Sequence, residues 1–141
     1  MADTALPDKW VRKALKSAFS TITVDGNAVP TYDMRAEGYD GNQYILLSTQ
    51  SNSPSPSKCG DSWNHTIEIQ AITSFKINQG SRRRADLIME AVLTALETLS
   101  LDVTSSMIIN KKSLSFPGDF NAISEYSTIY RKILQLEMNI T

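Results

Sequence analysis

Between Ser81 and Leu99 the apolar residues Leu87, Ile88, Ala91, Val92, Ala95, Leu96 and Leu99 return at intervals of three and four, the period of a helix with one face turned to a core. Met89 and Leu93 widen that face, leaving only Arg83, Asp86, Glu90, Thr94 and Glu97 as a narrow polar strip. So apolar a helix must lie on a broad apolar layer, supplied by a sheet, by another helix of the same chain or by a second subunit. Its start carries a further demand. Arg82, Arg83 and Arg84 occupy the first turn, where the partial positive charge of the helix end disfavours each exposed cation by about 0.3–1 kcal/mol. A nearby carboxylate, another subunit or a phosphate must offset that cost.

The chain has 141 residues, the length of one domain with a core of its own. Hydrophobic residues make up 41% and charged residues 21%, and no apolar run approaches the ~20 residues of a membrane-spanning helix, so a membrane protein is not expected. Met1-Ala2-Asp3-Thr4 lacks the basic-then-apolar layout of a secretory signal, and Cys59 is the single cysteine, so a reducing cytoplasm is the expected setting. The formal net charge is −1, which excludes a global basic field for DNA or RNA and makes phosphate the least favoured partner of the arginines.

Lys9 to Phe19 reads as a first helix, with Trp10, Val11, Ala14, Leu15, Ala18 and Phe19 on its apolar face and Asp8 expected as its N-cap. Its other face is basic, with Lys9, Arg12, Lys13 and Lys16 in a narrow stripe. Thr21 to Val24, Asp25-Gly26-Asn27 and Ala28 to Tyr32 spell a hairpin whose second arm, containing Pro30, is short or at an edge. Gly38 to Asn42 reads as a turn. Tyr44 to Thr49 is apolar on both parities, as a central strand would be. Ser51 to Ser57, rich in serine with Pro54 and Pro56, predicts an exposed loop that extends to about Trp63. Ile67, Ile69, Ala71 and Phe75 share one parity of a following strand, with Glu68, Gln70, Ser74 and Lys76 on a wet face. After the long helix, Met107 to Phe116 is a strand with mixed faces, Pro117-Gly118-Asp119 a turn, and Thr128 to Ile140 a half-buried strand.

The order α-β-β-β-β-α-β-β predicts an α+β fold: a mostly antiparallel β-sheet with two α-helices packed on one face.

Catalytic chemistry is thin. His65 is the only histidine, which leaves no histidine-based metal site and no paired-histidine acid–base scheme. The pairing of Cys59 with His65 as nucleophile and base is a weak reading beside the bland one, a loop cysteine and a strand-opening histidine. No Gly-rich phosphate loop or Gly-flanked nucleophile serine occurs. No catalytic residue, cofactor or metal is expected.

The charged stripes say more. Arg82 or Arg83 has Asp86 within helical reach, worth about 0.2–0.5 kcal/mol on a surface. Asp86 and Glu90 continue as an acidic stripe opposite in sign to the basic stripe of the first helix. Opposite surfaces on one small domain suit head-to-tail association, in which a ring closes. The candidate subunit interface is therefore Arg82, Arg83, Arg84, Asp86 and Glu90 on one helix with Lys9, Arg12, Lys13 and Lys16 on the other.

The order of segments resembles the tail-completion or tail-terminator proteins of long-tailed bacteriophages. The resemblance is carried by the opening helix, Ala28-Val29-Pro30-Thr31-Tyr32, Tyr44-Ile45-Leu46-Leu47-Ser48 and Thr66-Ile67-Glu68-Ile69-Gln70-Ala71. It continues through Ala85-Asp86-Leu87-Ile88, Val92-Leu93-Thr94-Ala95-Leu96 and the closing Tyr130 to Met138 strand. It spans nearly the whole chain by pattern and order and brings no catalytic motif. It implies a non-enzymatic assembly factor of the virion, made in the host cytoplasm. Six copies would form a ring on the finished tail tube, end tube growth and offer a surface to the head-side connector. Its partners would be copies of itself, the tail tube protein and a neck protein, with DNA only as cargo through the lumen. Ser53, Ser55, Lys58 and Trp63 in the expected loop are then candidates for contact with tube or neck. The arginine run departs from the family's looser pattern. Another neck component, such as a head-closure or connector ring protein, is the neighbouring reading. A nucleic-acid-binding module of the double-stranded-RNA type is the distant one, weakened by the net charge and by the two strands after the second helix.

Overall fold

The computed structural model describes residues 6–33, 43–55, 62–76, 83–123 and 127–141. Helix α1 spans Asp8–Ala18 and α2 Arg83–Leu96; the strands are β1 (Thr23–Val24), β2 (Asn27–Ala28), β3 (Thr31–Asp33), β4 (Gln43–Ser55), β5 (Ser62–Lys76), β6 (Ile109–Ile123) and β7 (Ser127–Ile140). The main sheet has the order β3-β4-β5-β7-β6. All its neighbours run antiparallel except β3, which runs parallel to β4. Both helices lie on one face, so the expected α+β architecture is the observed one.

The alternation of side chains decides which face is core. Ile67 and Ile69 stand opposite Leu136 and Leu134, Ile45 and Leu47 opposite Ala71 and Ile69, and all are buried. Val11, Leu15 and Phe19 from α1 and Ile88, Met89, Val92 and Leu96 from α2 complete the same cluster. The wide apolar face of α2 is thus covered within the chain by sheet and α1.

Several elements differ from the sequence reading. Pro7, not Asp8, occupies the N-cap of α1, which suits a residue without an N–H and releases the Asp8 carboxylate for another use. The Asp25-Gly26 turn is a tight hairpin with φ of 52° and 81° at the two residues, as a left-handed two-residue turn requires. Its arms are two residues each, and Thr31–Asp33 leaves the hairpin to become an edge strand on β4. Strand β4 is buried on one parity and half-buried on the other, and the central strand is β5.

The expected loop is largely strand. Ladder pairing continues through Ser53↔Asn64, Pro54↔Trp63 and Ser55↔Ser62. Serine and asparagine are tolerated because backbone hydrogen bonds to β5 do not depend on apolar side chains. Pro54 is tolerated because β3 pairs only as far as Leu47, which leaves this part of β4 at an edge. A register shift between Leu47 and Gln50 moves Gln50 and Asn52 onto the helix-bearing side. Pro117-Gly118-Asp119 is likewise not a turn: β6 passes through it with a register shift between Ser115 and Gly118, a bulge on an edge strand. The expected wet face of β5 also buries Gln70 and Ile72.

Leu136→Ala, at a fully buried position, is expected to cost about 2–5 kcal/mol in urea unfolding. Phe120→Ser, at a residue 53% exposed, should stay within about 0.5 kcal/mol.

Candidate functional site

Charge pairing is satisfied largely inside the chain. Arg83 Nη1 and Arg84 Nε lie 3.4 and 3.7 Å from the Asp25 carboxylate, and the Arg84 guanidinium stacks 5.2 Å from the Phe75 ring centroid. Asp25, held out by the hairpin turn, is thus the counter-ion for the amino end of α2. Asp86 does not take that role; it accepts Lys132 at 3.2 Å. Lys132 also donates to Asp119 at 3.0 Å, and that hydrogen bond above all, with Asp86 adding to it, raises its pKa against desolvation. Arg82 lies outside the described residues.

The basic stripe of α1 is spent in the same way. Lys13 donates to Asp102 at 2.6 Å, Lys16 lies 3.4 Å from Asp33 and Arg12 donates to Gln50 Oε1 at 2.8 Å. The Asp102 carboxyl is pushed down to about 2, first by the Lys13 hydrogen bond and then by the Thr104 N–H and hydroxyl. Lys9 instead lies over the Trp10 ring at 5.0 Å. Glu90 is exposed. Most charges of the two helix stripes therefore have partners within the chain, which tie α1, the hairpin and α2 to the rest of the fold.

A buried polar chain lies beneath the first turn of α1. Arg12 fixes the Gln50 amide by taking its oxygen, so Gln50 Nε2 faces the His65 Nε2 at 3.1 Å and the Asp8 carbonyl at 3.4 Å. His65 Nδ1 meets Asn52 Oδ1, and Asn52 Nδ2 donates to the Asp8 carboxylate. The arrangement suits a neutral imidazole that donates at Nδ1 and accepts at Nε2; a second ring proton would face an amide N–H. His65 is 0% exposed. Burial lowers its pKa, the Asp8 charge raises it in part and Arg12 lowers it again. No metal-binding cluster of three or more His, Cys, Asp or Glu occurs among the described residues. The network is a structural joint between α1 and the sheet, and Cys59 lies outside the described residues.

Exposed apolar surface lies elsewhere. Ile108, Leu114, Phe116 and Phe120 are exposed on or beside β6, the strand at one edge of the sheet. Leu114 stands opposite Leu136 on the helix-bearing face. Phe120 stands opposite Arg131 on the face away from the helices, where with Pro117, Ile133, Glu68 and Gln135 it lines a cleft of about 350 Å³. Lys111, Pro117 and the bulge blunt β6 against simple strand addition, so its apolar side chains suit packing against a shaped partner. Of the expected tube or neck contacts, Ser53 is exposed, Ser55 ends β4 and Trp63 is half-buried between Pro54 and Ile140 in the ladder. Lys58 lies outside the described residues.

Exposed apolar side chains along the β6 edge, with a cleft beside them on the sheet face away from the helices, suit packing against another subunit. The family model described as tail completion protein gp17 matches residues 11–130. The chain belongs to that family. Comparison with curated proteins gives no match. Among solved structures, a chain from "Virion of native gene transfer agent (GTA) particle" is similar, with a TM-score of 0.63 at 17% identity over 96% of this chain and 99% of that one. At that identity the likeness establishes the shared fold. This tail completion family member is a structural phage tail protein. Spacing alone does not mark these β6 residues, because a strand of mixed parity shows no single buried face. That same mixing, apolar residues on both sides of a bulged edge, was the available signal.

Two outcomes test the electrostatics. Because the folded pKa of His65 is depressed, the unfolded chain takes up a proton near pH 6.5 that the folded chain resists. Stability from this group is complete above that pH and is lost as pH falls. Urea midpoints should decline from pH 7 to 5.5, and His65→Gln should flatten that slope. Asp25→Asn should lower stability by about 1 kcal/mol or less, as expected of an exposed pair, with the difference shrinking in high salt.

Proposed function

We propose that this tail completion family member is a single-domain, non-enzymatic assembly protein that caps the head-proximal end of the phage tail tube. Six copies form the ring. The cap ends tube growth, and its outer side provides the surface on which the head-side connector docks, with DNA passing through the lumen as cargo. The protein is assembled in the host cytoplasm and remains in the virion at the neck.

Family membership over residues 11–130 supports this reading, as does likeness of fold to a chain from a gene transfer agent virion. The observation that carries it is the apolar edge: Leu114, Phe116 and Phe120 stay exposed on a fold whose helices are already covered. A monomer with its core complete has no internal use for them. A subunit that packs against neighbours does. Charge near neutrality suits the same role, since a ring around passing DNA that bound phosphate strongly would retard it.

Tails assembled without the protein should be irregular or extended in length and fail to join heads. Normal-length tails that join heads in its absence would contradict the reading. Leu114→Ser with Phe120→Ser should reproduce the defect while the isolated chain melts within a few degrees of the parent.

A further inference from the structure

An apolar cleft and an exposed apolar side chain beside a cation lie on opposite faces of the sheet. The receptor is the cleft on the face away from the helices formed by Pro117, Phe120 and Ile133, with Glu68 also in its lining. Glu68 accepts a hydrogen bond from Gln70 Nε2 at 3.0 Å and meets no cation among the described residues. The projection is the segment entering α1, where Leu6, two residues ahead of the helix, is 52% exposed. One turn on, Lys9 is the α1 cation without a carboxylate or amide partner among the described residues; Arg12, Lys13 and Lys16 are all engaged.

We propose that the Pro117–Phe120 cleft receives Leu6 and the first turn of α1 from a second copy of this chain, with Leu6 seated against Phe120 and Ile133 and Lys9 paired to Glu68. This rests on the ring reading above and assigns its contact. The chain cannot make the contact with itself, because Asp8 ties the first turn of α1 to Asn52 beside His65 on the helix-bearing face. The cleft opens on the other. Receptor and projection are different surfaces, so each copy that accepts a neighbour still offers its own α1, and the contact repeats until a ring closes. A twofold pairing of cleft with cleft would instead bring Glu68 toward Glu68, which like-charge repulsion opposes. Leu6 provides burial and the Lys9–Glu68 pair sets direction, so the contact should weaken as salt rises.

Disulfide trapping tests it. Two full-length variants, each carrying Cys59→Ser, bear Lys9→Cys in one and Glu68→Cys in the other, which keeps Leu6 and Phe120 intact. They are mixed with tail tubes, oxidised and read by mass spectrometry, beside imaging of the parent protein on the same tubes. The 9–68 bond should exceed the 9–9 and 68–68 bonds by at least about tenfold, one decade in the contact equilibrium. Lys9→Glu and Glu68→Lys should each reduce assembly on tubes, and the two together in one chain should restore it. Parent rings on tubes without a 9–68 bond would overturn this contact and leave the ring reading standing. A 9–68 bond without rings would do the reverse. Homodisulfides in excess would replace the head-to-tail contact with a twofold one.

Discussion

The pairing of β5 with β7 is the interaction on which the rest of the structure depends. It runs unbroken from Trp63↔Ile140 to Lys76↔Ser127 with no register shift, whereas the flanking β4 and β6 ladders each contain one or more. A slip of one residue in β7 would turn Leu134 and Leu136 away from the helices while Ile67 and Ile69 still faced them. The continuous ladder therefore sets which face receives α1 and α2, and it leaves the bulged outer strands free to re-aim their side chains. Gln50 and Asn52 reach His65 only because of the shift in β4. Pro117 and Phe120 share a cleft only because of the shift in β6.

Most of the charges expected at a subunit interface also pair within the chain. Asp25 meets Arg83 and Arg84, Asp102 meets Lys13, Asp33 meets Lys16, and Lys132 bridges Asp86 and Asp119. Each pair joins elements far apart in sequence, and exposed pairs of this kind contribute little singly. Their joint effect is on placement: the hairpin is held at the start of α2, and α1 to the segment before β6. Lys112 acts similarly, donating to the carbonyls of Leu96 and Glu97 at 2.6 and 3.5 Å at the end of α2, where a cation is favoured. With these groups occupied, apolar side chains on β6 are the larger resource for association.

Local patterning carried what local physics controls. The periods of α1, α2 and β7 were legible because burial on one face writes itself into spacing, and Asp25-Gly26 was legible because few residues accept positive φ. The strand through Ser51 to Ser55 was not, since its pairing comes from β5 and not from its own side chains. Nor was the β6 bulge, where a proline and glycine that usually mark a turn sit on an edge that accepts them. The partner of the arginine triplet was hidden for a related reason: Asp25 is distant in sequence, while Asp86 was near and at helical spacing. His65 looked like an isolated residue until the shifted register of β4 brought Gln50 and Asn52 beside it.

The chain belongs to the tail completion family, and the apolar edge of an otherwise completed fold is what a subunit of a larger assembly would carry. A cap differs from a wall protein in position and copy number. Imaging purified tail tubes mixed with the protein, at a resolution that separates subunits, tests for the cap directly. The account predicts a ring of six at one end of each tube and bare tube elsewhere. Protein distributed along the tube wall, or absent from both ends at saturating concentration, would contradict it.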